Sequence, residues 1–145
     1  MTTESELIAL AERVEAATGL DRALDAAVCA VLRIGTEHAW AVKNYPAWIA
    51  APNGWVHLEK NGPSFASPAF TASLDAAMTL VPSDPWLEIR GPRKYLNIPT
   101  HSPNFWSANV SCWNHEGQKT GWGATPALAL TAAALRARAA AQVSA

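Results

Sequence analysis

The sequence predicts an α+β fold: an antiparallel sheet of three to four strands packed with helices as a helix–sheet–helix sandwich. Three observations carry this. Two amphipathic helical stretches open the chain. Two clean alternating segments, WLEIR (86–90) and FWSANVSCW (105–113), follow with connections that permit hairpins rather than crossovers. The chain then closes on GWGATPALALTAAALRAR (121–138), a strand running straight into a helix of small residues. At 145 residues the chain is one domain spanning 1–145, long enough to bury roughly two thirds of its unfolded surface without staples.

The first helix is expected over Glu4 to Ala17. Leu7, Leu10 and Val14 line one side, with Glu6, Glu12, Arg13 and Glu15 elsewhere. Gly19 is placed to end it in a left-handed turn. Asp21 can cap a second helix through about Leu32, with Leu24, Val28 and Leu32 on its apolar face and Gly35 beyond its end. The short link predicts an antiparallel pair.

From about 35 to 68 the pattern loosens into a Trp/Pro-rich excursion. Four prolines, with Gly54 and Gly62, punctuate it, yet Trp40, Tyr45, Trp48, Trp55 and Phe65 make it too aromatic for a disordered linker. WVHLEK (55–60) alternates like a short strand. The expectation is a folded excursion over the core, and the first place to look for a binding lid.

Ser73 caps a short third helix, SLDAAMTL, with Asp75 in its first turn where negative charge is favoured. Pro82 and Pro85 stop it. The strands 86–90 and 105–113 flank a long hairpin connection over Gly91 to Asn104, and Asn114-His115-Glu116-Gly117 is a turn by residue type. Gln118 to Ala124 is a third strand. In the last helix Thr125 is the cap and Pro126 the first residue. Leu128, Ala132 and Leu135 recur at helical spacing, with Thr131 and Arg138 off that stripe.

Alternation separates the two faces of the sheet. Trp106, Ala108, Val110 and Cys112, with Leu87 and Ile89, form an apolar set that belongs under helices. Trp86, Glu88, Arg90, Phe105, Ser107, Asn109, Ser111 and Trp113 form a mixed set, too polar for a core and too aromatic for plain exposure. Three readings stand open: covered by the excursion, an oligomer interface, or a ligand platform.

Composition bounds the function. Eleven basic residues against twelve acidic ones leave no basic stripe, which argues against DNA or RNA as partner. The N-terminal residues are acidic and unlike a signal peptide, and no apolar run is suited to span a membrane, so a cytoplasmic protein without membrane contact is expected. Cys29 and Cys112 make no disulfide framework and read as buried free thiols. No Walker loop, GxGxxG, GxSxG, HExxH or CxxC is present, and His38, His57, His101 and His115 follow no ligand spacing. The expectation is therefore no catalysis, no cofactor and no metal. His101, His115 and Glu88 are the first places to look should turnover be found. Seven tryptophans are many for this length, and Trp serves packing, interfaces and stacking alike.

The segments LDRALDAAV (20–28), TASLDAAMTLVP (71–82) and GWGATPALALTAAALRAR (121–138) resemble the phage ABA sandwich domain, a family of small bacteriophage and prophage proteins. The resemblance implies a phage-encoded protein acting in an infected or lysogenic host. It implies packing motifs rather than catalytic residues. Small phage proteins of this kind include sponges that sequester a host's nucleotide-type immune signals, such as cyclic nucleotides or ADP-ribose derivatives. On that expectation a base stacks on Trp48, Tyr95 or Trp113, phosphates meet Arg90, Arg93 or Lys94, and Asn109 lies on the same sheet face. The protein is expected to be a homo-oligomer, because a mixed face on a small domain is economically covered by a symmetric partner. The other class is an accessory or scaffold protein acting through protein contacts with no small ligand.

Overall fold

The computed structural model describes residues 3–34, 45, 47–59, 62–82, 85–92, 105–112 and 118–144. They form an α+β fold of four helices and two three-stranded antiparallel sheets. In chain order these are α1 (Glu4–Ala16), α2 (Arg22–Leu32), β1 (Trp48–Ala50), β2 (Trp55–Leu58), β3 (Ser64–Ala66), α3 (Leu74–Met78), β4 (Pro85–Arg90), β5 (Trp106–Cys112), β6 (Lys119–Gly123) and α4 (Pro126–Ser144).

The helix starts follow from capping chemistry. Thr3 accepts from the Glu6 N–H while the Glu6 carboxylate accepts from the Thr3 N–H, a reciprocal box. Asp21 accepts from Leu24 N–H, Ser73 from Ala76 N–H, and Thr125 from Leu128 N–H. Removing the last hydroxyl (Thr125→Ala) is expected to cost about 1 kcal/mol, measured by chemical denaturation. The C-terminal ends differ from expectation. α1 stops at Ala17 with extended backbone, and Gly19 does not take the left-handed conformation. α2 is closed by Arg33 at φ 55°, so a non-glycine residue makes the left-handed turn.

α4 is the centre of the molecule. Leu128, Ala132, Leu135 and Ala139 enter a core shared with α1, α2, β1, β2 and Phe70. Ala129, Leu130, Ala133 and Ala137 enter a second core against Ala108 and Val110 of β5, with Leu87 and Ile89 of β4 and Trp106 beside them. With a core on either side, a position off one apolar stripe of α4 is not thereby exposed. The expectation that Thr131 and Arg138 lie off the stripe therefore takes a different form. Thr131 is fully buried and donates to the Phe70 carbonyl at 3.0 Å. Arg138 donates through Nε to the Leu80 carbonyl at 2.7 Å, and burial pushes its pKa down.

Close approach of α4 to the sheet depends on Gly121 and Gly123 of β6, which set no side chain against the helix. A Cβ on Gly121 would fall 2.2 Å from the Ala129 carbonyl oxygen and 2.3 Å from the Ala133 nitrogen. One on Gly123 would fall 2.7 Å from the Leu128 Cβ. The main partner of α1 is α4 rather than α2. The apolar face of α2 is instead taken up by the described part of the excursion, which holds a sheet: β1 pairs with β2 and β2 with β3, and β1 and β2 pack on α2.

A buried polar network fastens that sheet to α2. Asp25 is fully buried and accepts from the Thr71 N–H (2.8 Å), the Thr71 hydroxyl (2.9 Å) and Arg22 Nη1 (2.8 Å). Arg22 also donates to the Ser67 carbonyl, and Ser67 donates to the Gly54 carbonyl through both its N–H and its hydroxyl. Gly54 sits at φ +93° with a would-be Cβ 2.6 Å from Arg22 Nε, so only glycine fits both the backbone and the space. Burial raises the Asp25 pKa against the opposing effect of Thr71 and Arg22. Cys29, one turn on, is a buried free thiol pushed up to about 12 by burial. Thiolate is the reactive form, so iodoacetamide at pH 8 is expected to leave Cys29 unmodified in the native protein, as read by mass spectrometry.

Candidate functional site

The register of the second sheet decides what its free face displays. Leu87 pairs with Val110, and Ile89 with Ala108 and Gly121, all on the α4 side. On the outer side three rows cross the strands. Trp86 pairs with Ser111, Glu88 with Asn109 and Thr120, and Arg90 with Ser107 and Trp122. The sequence-based division of faces therefore holds for the described side chains, with Ala108 and Val110 fully buried under α4. The Cys112 side chain lies outside them.

This outer face is polar with two indoles. Trp86 is 54% exposed, one of the most open large apolar side chains described. Arg90 is exposed and its guanidinium forms an ion pair with Glu88 on the same strand. Asn109 Oδ1 accepts from the Thr120 hydroxyl at 2.7 Å, which fixes the amide across β5 and β6. Trp122 is half-buried beside Ser107.

Of the expected ligand residues, Arg90 and Asn109 share this face. Trp48 is elsewhere. It is 8% exposed in the core between β1 and α2, edge-on to Phe65 at 5.4 Å, with the Arg33 guanidinium 5.9 Å from its ring centroid. Among the described residues its indole N–H has no acceptor. Stacking a base on Trp48 requires the first sheet to part from α2. Arg93, Lys94, Tyr95 and Trp113 lie outside the described residues, as do His101 and His115. Among the described residues no three His, Cys, Asp or Glu side chains come together.

Sequence reasoning passed over Thr120 and Trp122. The signal was available: with Gly121 and Gly123 turned to α4, alternation puts Thr120 and Trp122 outward. By spacing alone Glu15 stands off the apolar side of α1. In the fold Glu15 meets Arg136 of α4 in a two-point ion pair, at 2.5 Å and 2.6 Å. That hydrogen bonding raises the Arg136 pKa. The pair closes the outer edge of β6. Glu15 Oε2 accepts from the Trp122 N–H at 3.0 Å, and Arg136 Nη1 donates to the Thr120 carbonyl at 2.9 Å. A carboxylate and a guanidinium thus serve where a neighbouring strand would otherwise bond.

The chain matches no family model, no curated protein and no solved structure.

Proposed function

We propose that this chain is a non-catalytic binding protein whose working surface is the outer face of β4–β5–β6, and that the bound partner is a protein. The observation that carries the reading is Trp86, more than half exposed on the same face as Arg90, on a sheet whose other side is a packed core. Trp and Arg dominate the energetics of protein contacts. The resemblance to small bacteriophage proteins is compatible with an accessory role of this kind.

Two features favour a protein over a nucleotide-type signal. Small ligands are taken up by concave sites that bury most of their surface, whereas the described residues offer the broad face of a sheet. Arg90 is also already engaged by Glu88, so a phosphate would have to displace a carboxylate held on the same strand. Calorimetry and thermal shift against cyclic dinucleotides, cyclic ADP-ribose isomers and NAD test the choice. The expected result is no rise in melting temperature with any of them. A nucleotide that stabilises the wild type but not Arg90→Ala would replace this reading with nucleotide sequestration at the same face.

A further inference from the structure

The two edges of the second sheet are treated differently. The β6 edge is closed by Glu15 and Arg136. The other edge is β4, six residues long. Among the described residues no backbone or side-chain group bonds to its outer side. Proline stands only at its first position, so residues 86–90 all carry N–H groups. An edge of this kind is a template for another strand. Its outward charges are a carboxylate and a guanidinium two residues apart, a pattern complementary to itself when the strand is reversed.

We propose that β4 pairs antiparallel with β4 of a second copy of this chain, joining the two sheets into one of six strands. Among the registers that set the charged residues opposite one another, charge and face leave one. Pairing about Ile89 sets Glu88 of each copy opposite Arg90 of the other. Each carboxylate then exchanges its neighbour on the strand for a cross-strand partner. Sliding by two residues sets Glu88 against Glu88, and like charges directly opposite are unfavourable. Sliding by one sets Glu88 against Ile89 and turns one copy's α4 to the wrong side of the sheet. In the chosen register both outer faces lie on one side, so the dimer presents Trp86, Arg90 and Trp122 twice on a continuous surface. The pairing does not depend on what that surface binds, and a nucleotide found there would leave it standing.

Charge swapping in the full chain tests it by light scattering. The wild type is expected to be a dimer. Glu88→Arg and Arg90→Glu each place two like-charged pairs across the axis and are expected to weaken association about tenfold or more. Mixed in equal amounts, the two variants face each other with every pair opposite, and the dimer is expected to return. Circular dichroism checks that each variant is folded. A monomeric wild type, a single variant that stays as tightly dimeric, or a mixture that stays monomeric overturns the proposal. Ile89→Cys reads the register directly. The residue on the axis meets its own copy at a Cα separation of about 4.5–5.5 Å, within disulfide reach. Oxidation is expected to give a covalent dimer, and a variant that dimerises without cross-linking overturns the register.

Discussion

Gly121→Ala lowers the stability of the folded chain by about 3 kcal/mol, the upper end of the range for overpacking a core. The backbone at Gly121 is compatible with alanine, because its φ is not positive. The loss comes from contact alone. The added methyl meets the Ala129 carbonyl oxygen, the Ala133 nitrogen and the Ala132 carbonyl carbon, all of them backbone atoms of α4. Backbone cannot rotate aside as a long side chain can, so the helix must lift from the sheet. Lifting it loosens Ala129, Leu130 and Ala133 on one side and the Leu128–Leu135 contacts on the other. For a chain of this size the melting temperature should fall by roughly 6–12 °C. Gly19→Ala is the control: its methyl meets nothing within 4 Å and should be nearly neutral.

Asp25→Ala has an effect of similar size by another route, about 3–5 kcal/mol. It leaves the Arg22 guanidinium, the Thr71 N–H and the Thr71 hydroxyl facing a buried gap. Unpaired buried donors carry their full desolvation cost. Asp25→Asn keeps an acceptor for Thr71 but gives up the charge against Arg22, so it should fall between wild type and the alanine variant. Urea denaturation checks both, with the midpoint falling and the slope unchanged. Because the network ties Gly54 and Ser67 to α2, hydrogen exchange in β1–β3 should rise first.

What the chain revealed beforehand divides by range. Caps are local chemistry, and Asp21, Ser73 and Thr125 were all legible from the residue and its next few neighbours. Alternation is equally local, and it separated Val110 from Asn109 correctly. The excursion was legible only as folded and aromatic. Its strands are three or four residues long, too short for period alone to mark, and they are held by Asp25 and Thr71, forty-six positions apart. Helix pairing failed for the same reason. A short link favours α1 against α2, but the apolar faces pair α1 with α4, more than a hundred residues away. Nothing near Glu15 or Asp25 in sequence announces Arg136 or Thr71. Of the candidate site, the sheet face was legible through alternation. Trp48 was not: an indole in a loosely patterned segment gives no sign of which side it takes.

One side of the β4–β5–β6 sheet is core, and the proposed function requires the other to be open. Denaturation of Val110→Ala and Trp86→Ala in parallel separates the two faces. Val110 is fully buried against α4, and losing its methyl groups should cost roughly 2 kcal/mol. Trp86 is the far larger side chain, yet its removal should stay within about 0.5 kcal/mol, as for a surface residue. A Trp86→Ala loss of about 3–5 kcal/mol, the range for a buried tryptophan, would show instead that the outer face is packed against the chain itself and is not open to a partner.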